Sequence, residues 1–127
     1  MKALFGVIAV VLLMTASPAP AVTLTSGLLR VNPNSPELLL CTVVNAGTKD
    51  LTELTVQILN YTGSDVSFGT DCGTLLAPGA VCSTQSGPGT TEGYCTVSFT
   101  GSRKSPRATL SRSLPGFSES LTSIPVQ

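Results

Sequence analysis

The residues that could carry chemistry are few. The chain holds seven carboxylates, seven basic side chains, four cysteines and two tyrosines, but no histidine and no tryptophan. Without histidine, Ser-His-Asp and Cys-His nucleophilic catalysis are excluded in their usual forms. A Ser-Lys dyad needs a placed lysine, and beyond Lys2 only Lys49 and Lys104 remain, both in stretches that read as turns. Glycoside hydrolysis needs two carboxylates across a cleft. Here Glu37, Asp50, Glu53, Asp65, Asp71, Glu92 and Glu119 are scattered over turns and strand ends. Asp65 and Asp71 come nearest to a calcium pair, yet calcium takes about six to eight oxygens, and capping turns is the ordinary use of such aspartates. No C-x-x-C pair and no histidine support a zinc site. The expectation is a non-enzymatic chain that needs no cofactor and no metal.

The cysteines and tyrosines therefore carry the remaining interest. Cys41, Cys72, Cys82 and Cys95 are an even set, which in an exported domain reads as two disulfides with three possible pairings. The N-terminus argues for export. Met1-Lys2 is a short positive start, residues 3–14 form an uncharged apolar run, and residues 15–21 turn small and proline-rich. Ala19 and Ala21 satisfy the small-residue rule for cleavage, which makes residues 1–21 a signal peptide and Val22 the new N-terminus. The apolar run, about a dozen residues, falls short of the roughly 20 needed to span a bilayer. The expected product is secreted or periplasmic, with no membrane span after cleavage. One domain over 22–114 and a flexible tail over 115–127 account for the rest.

Charged residues make up only 11% of the chain and the formal net charge is zero. That balance argues against nucleic acid, whose binding draws on many lysines and arginines. Arg103, Lys104, Arg107 and Arg112 do cluster, and read as the solvated edge of a hairpin.

The elements that position these residues are short β-rich runs separated by turn residues. A strand over 22–31 is broken by Gly27, and Asn32-Pro33-Asn34-Ser35-Pro36 is a turn. The run 37–45 is apolar on both faces, as a central strand would be. Residues 51–61 alternate, with Leu54, Val56 and Ile58 on one face and Glu53, Thr55 and Gln57 on the other. Val66 and Phe68 mark a short edge strand. Cys72 and Cys82 flank a Pro78-Gly79 turn, in which proline sets the first central position and glycine supplies positive φ. Residues 85–91 read as a Gly/Pro loop, 94–100 as a strand with Cys95, Val97 and Phe99 on one face, and 107–114 as a strand with Ala108 and Leu110 inward.

About seven short strands with turns every 8 to 12 residues is the pattern of an all-β, antiparallel immunoglobulin-like sandwich. In that frame Cys41 and Cys95 face each other across the sheets, and Cys72 and Cys82 clip one turn. The expected disulfides are Cys41–Cys95 and Cys72–Cys82.

Residues 44–47 (VNAG), 51–58 (LTELTVQI), Cys72 and 76–82 (LAPGAVC) resemble bacterial immunoglobulin-like modules. These are the conserved-repeat and CARDB-type domains of secreted and surface proteins, which carry an N-x-G turn, an "LTNVTV"-like strand and a "C…LAPG…C" hairpin. The resemblance spans about residues 40–100 and implies a sandwich that acts by contact. This sequence is read as departing from that pattern in showing no repeats, catalytic neighbours or wall anchor, and the expectation is a module that acts alone.

For function, loops 63–70 and 85–92 are the expected contact surface, because glycine and proline hold exposed backbone there on a rigid scaffold. Tyr61 and Tyr94, at strand ends, and Gly87, Pro88 and Gly89 are the candidate binding residues. Tyr94 also resembles the tyrosine-corner residue of such sandwiches. The expected partner is a protein or a cell-surface glycan. The alternative is a small secreted enzyme or inhibitor acting through the 85–92 loop.

Overall fold

The computed structural model of the chain describes residues 20–114 and 120–127. The signal-peptide assignment therefore lies, up to residue 19, outside the described residues. Nine strands run in order: β1 (Ala21–Thr25), β2 (Leu29–Arg30), β3 (Leu38–Asn45), β4 (Thr52–Leu59), β5 (Ser67–Thr70), β6 (Val81–Ser86), β7 (Glu92–Thr100), β8 (Pro106–Ser113) and β9 (Ser120–Val126). No helix occurs among the described residues, and so none there is long and apolar enough to cross a membrane.

The strands form two antiparallel sheets. In one, β7 lies between β4 on one side and β1 followed by β2 on the other; the second runs β5-β6-β3-β8-β9. The expected antiparallel sandwich is present, with two strands more than the seven read from the sequence. Cys41 on β3 and Cys95 on β7 join the sheets, with Cα atoms 6.0 Å apart, and Cys72–Cys82 closes the β5–β6 connection at 5.0 Å. In the common seven-strand immunoglobulin arrangement, the first strand joins the sheet of the second, and the last joins that of the sixth. Here those two exchange sheets: β1 and β2 pair with β7, and β8 pairs with β3.

Alternation sets the core. Leu39, Cys41 and Val43 of β3, Leu54, Val56 and Ile58 of β4, Cys95, Val97 and Phe99 of β7, and Ala108 and Leu110 of β8 are all buried. Burying one large aliphatic or aromatic side chain contributes about 1.5–3 kcal/mol. In the chain-entropy picture the long Cys41–Cys95 loop adds about 4 kcal/mol and the short Cys72–Cys82 loop about 3.

Among the register shifts of the two sheets, two bulges move core positions by one residue. Thr25 pairs with Thr96 and Leu29 with Gly93, so four steps on one strand meet three on the other. Inward positions accordingly change from Leu24 and Ser26 to Val31, while Leu28 is exposed. Ser26 bridges the break. Its N–H donates to the Cys95 carbonyl at 2.9 Å, and its Oγ accepts from the Cys95 N–H at 2.8 Å. The second bulge lies between Thr52 and Thr55, where Glu53 has φ 51°. It lets Leu51 and Leu54 both point inward.

Residues 115–127 were expected to form a tail. Within them, Ser120–Val126 instead pairs with β8, with Val126 buried. The Thr25 N–H donates to the Gln127 carbonyl at 2.8 Å, tying this strand back to β1. The pairing is consistent with Ile124 and Val126, apolar residues two positions apart, and with Pro125, which an edge strand tolerates.

Candidate functional site

One end of the sandwich gathers the connections 31–37, 60–66 and 87–91. The Gly87 N–H donates to the Val66 carbonyl at 2.9 Å, and the Val31 N–H to the Thr91 carbonyl at 2.7 Å. The two loops expected to form the contact surface are thus brought together.

Tyr61 stands on a tightly braced turn. Asn60 Oδ1 accepts from the Thr62 N–H at 3.0 Å, the Thr62 hydroxyl at 2.6 Å and the Ser64 N–H at 2.9 Å. The Gly63 N–H closes the turn on the Asn60 carbonyl at 2.9 Å, with Gly63 at φ 83°. On this base the Tyr61 side chain is left 71% exposed. Asp65 anchors the far side of the turn, accepting from the Ser67 N–H at 2.9 Å and Gln57 Nε2 at 3.1 Å. The Ser67 hydroxyl, its backbone N–H and Gln57 hold the Asp65 carboxyl below its ordinary value, against a smaller opposing effect of burial.

The second wall is the turn Gly87-Pro88-Gly89-Thr90. The Thr90 N–H reaches the Gly87 carbonyl at 3.4 Å, with Gly89 at φ 82° and only Pro88 and Gly89 at the exposed tip. A hollow of about 250 Å³ lies on one side, between Tyr61, Asn60, Val66 and residues 88–92. A second, also about 250 Å³, lies on the other side, between Phe68, Pro36, Leu38, Gln85 and the same Pro88 and Gly89.

Of the candidate binding residues read from the sequence, Tyr61, Pro88 and Gly89 lie together at this loop end, and Gly87 braces it. Tyr94 does not line either hollow. It is half-buried on β7 opposite Leu59, and its hydroxyl lies 4.0 Å from the point where a Cβ on Gly63 would sit. Three residues were not singled out from the sequence. Phe68 is 73% exposed because it falls on the outward face of β5, where Ser67 and Gly69 take the inner positions. Glu92 enters the first hollow while paired with Arg30 Nε at 3.2 Å. Asn60 enters as the base of the Tyr61 turn. A lone phenylalanine between serine and glycine in a short edge strand was the available signal for Phe68.

Most other ionisable groups have partners in the scaffold. Glu37 lies 3.7 Å from Arg112, Glu53 Oε2 accepts from the Thr100 hydroxyl at 2.9 Å, and Asp71 Oδ1 accepts from the Ser83 N–H at 2.6 Å. Asp71 also sits beside Cys72 and Cys82, whose sulfurs are joined to each other. Arg112 lies on β8 beside Glu37, away from the 101–105 turn that carries Arg103 and Lys104. Arg107 folds back to that turn, donating to the Lys104 carbonyl at 2.9 Å.

Compared with protein-family models, with curated proteins and with solved structures, the chain finds no match.

Proposed function

We propose that this chain is an exported, non-enzymatic binding module of immunoglobulin-like type, which engages its partner through the loop end around Tyr61, Phe68 and Pro88-Gly89. One observation carries the reading: two largely exposed aromatic side chains flank a single braced turn, with a hollow on either side of it. Exposed aromatics on a rigid base bury large contact area at low entropic cost. The carboxylates at this end, Glu37, Asp65 and Glu92, are paired or cap a turn, which supports binding over catalysis. The inhibitor alternative gains less support, because the tip of the turn, Pro88-Gly89, presents only a compact ring and a glycine, with no long side chain to enter a protease specificity pocket.

Two disulfides agree with export to an oxidising compartment. Cleavage after Ala21 would remove a single paired residue from β1, leaving Val22 to Thr25 on β7.

The test places a photo-crosslinking amino acid at Tyr61, at Phe68 and, as a control, at Lys49 on the opposite end. Irradiation with intact cell surfaces should give a discrete product from the first two positions alone. Equal labelling from Lys49, or none from either aromatic position, would overturn the reading.

A further inference from the structure

The hollow beneath Tyr61 combines features that suit a sugar better than a protein side chain. We propose that it takes a neutral pyranose unit of a surface polysaccharide, stacked on the Tyr61 ring. This assignment rests on the loop end being the binding surface, and adds the class of ligand.

The polar groups of the hollow divide into those the fold consumes and those it leaves over. Asn60 Oδ1 is committed to three donors in its own turn. The amide nitrogen of Asn60 and the hydroxyls of Thr90 and Thr91 make no hydrogen bond with the described residues. Glu92 binds Arg30 through Oε2 and keeps Oε1 in reserve. The hollow thus offers an amide donor, two hydroxyls and one carboxylate oxygen beside an exposed ring. A pyranose presents the complement, an apolar C–H face for the ring and hydroxyls, each donor and acceptor, around its edge.

Charge narrows the class. Glu92 and Arg30 neutralise each other, so nothing at the hollow selects an anion or a cation. Size narrows it further. About 250 Å³ is below the roughly 300 Å³ at which pockets for drug-sized ligands begin, which suits one ring at a time. A protein partner would need about 800 Å² of complementary surface on each side, whereas the ridge of Pro88 and Gly89 divides this end into two small hollows. A chain of sugar units can cross such a ridge. Phe68, on the far side, then becomes a second platform for longer ligands.

Tyrosine fluorescence reads the binding directly, because the chain has no tryptophan and only two tyrosines. In a Tyr94→Phe background Tyr61 is the sole reporter. Neutral gluco-, manno- and N-acetylglucosamine oligosaccharides of increasing length are titrated against this protein. Saturable change in Tyr61 emission is expected with at least one series, with affinity rising with length. Calorimetry on the parent should then show about tenfold or greater weakening by Tyr61→Ala, the loss of one anchoring contact, and retained binding by Tyr61→Phe. Phe68→Ala should weaken only the longer oligosaccharides. Since both side chains are mostly exposed, the variants should keep the parent's melting temperature.

No response to any series, or undiminished binding by Tyr61→Ala, would overturn the sugar assignment. If crosslinking from positions 61 and 68 still yields a discrete protein adduct, the loop-end reading survives that failure. If crosslinking fails as well, both fall.

Discussion

Removing the Asn45 side chain should cost this domain about as much as truncating one of its large apolar core residues. Asn45 is fully buried at the end of β3. Its Nδ2 donates to the Lys49 and Leu76 carbonyls, each at 2.8 Å, and its Oδ1 accepts from the Gly47 N–H at 3.0 Å. Its backbone also meets the Pro78-Gly79 turn, with the Gly79 N–H on the Asn45 carbonyl at 2.7 Å and the Asn45 N–H on the Ala80 carbonyl at 3.0 Å. One side chain thus joins the 45–50 turn to the disulfide-clipped 72–82 connection.

In Asn45→Ala three hydrogen bonds are lost: the Lys49 carbonyl and the Gly47 N–H lose their side-chain partner, while the Leu76 carbonyl keeps the Leu51 N–H. At about 1 kcal/mol for each bond, the loss is about 3 kcal/mol, or roughly 12–20 °C in Tm for a domain of this size. Asn45→Asp separates hydrogen bonding from packing. The carboxylate keeps the acceptor for Gly47 but turns a second oxygen on two carbonyls, so its folded pKa is raised above the unfolded value of about 3.9. The folded state then holds the proton more tightly, and the variant should lose stability relative to the parent as pH rises from about 4 to the raised value. Urea and thermal unfolding followed by far-UV circular dichroism, at pH 4 and pH 7, measure both effects. An Asn45→Ala variant within about 1 kcal/mol of the parent, or an Asn45→Asp variant whose deficit does not change with pH, would refute the role given to this side chain.

Two further outcomes follow from local geometry. A Cβ on Gly93 would lie 2.9 Å from both Leu39 Cδ1 and the Leu59 carbonyl oxygen and 3.1 Å from Ile58 Cγ2, so Gly93→Ala should destabilise by about 1–3 kcal/mol, read in the same unfolding assay. Cys41 and Cys95 are both fully buried whereas Cys72 is partly exposed; mild reductant without denaturant, followed by alkylation and peptide mass analysis, should therefore label Cys72 and Cys82 first.

The strands that could be read from sequence are those whose inward positions are apolar. Residues 51–61 and 94–100 alternate openly, and their inward faces are Leu54, Val56, Ile58 and Cys95, Val97, Phe99, all buried. The run 37–45, apolar on both faces, is central, between β6 and β8. β6 was hidden because its inward residues are Cys82, Thr84 and Ser86. Their burial depends on partners distant in sequence: the Thr84 hydroxyl donates to the Val56 carbonyl at 3.3 Å, and Ser86 Oγ accepts from the Leu39 N–H at 3.0 Å. The disulfides were legible because each pair sits on elements readable without the other. The bulges were only partly so. Gly27 marked a break in 22–31, but nothing marked Glu53, a residue type uncommon at positive φ. At the site, the turn residues of 87–89 and the strand-end Tyr61 were visible as types. Which tyrosine supports and which is presented depended on the pairing of Tyr94 with Leu59.

The two ends of the sandwich use the same kinds of residue to different effect, and that contrast supports the proposed contact surface. At the Asn45 end, polar groups are consumed by neighbouring loops: the Leu51 and Leu76 backbones bond each other in both directions at 2.9 Å, and the Ala46 N–H donates to the Ser105 carbonyl at 2.8 Å. Leu75, exposed in the 72–82 connection of this end, is aliphatic. At the Tyr61 end the bracing hydrogen bonds lie beneath the surface, in Asn60 Oδ1 and in Gly87, while the rings and the Thr90 and Thr91 hydroxyls above them have no structural duty. An exposed tyrosine and phenylalanine contribute little to folding, since neither removes its apolar area from water. A fold that anchors both on braced elements, around a turn stripped to proline and glycine, leaves that area open, as the proposed contact surface requires.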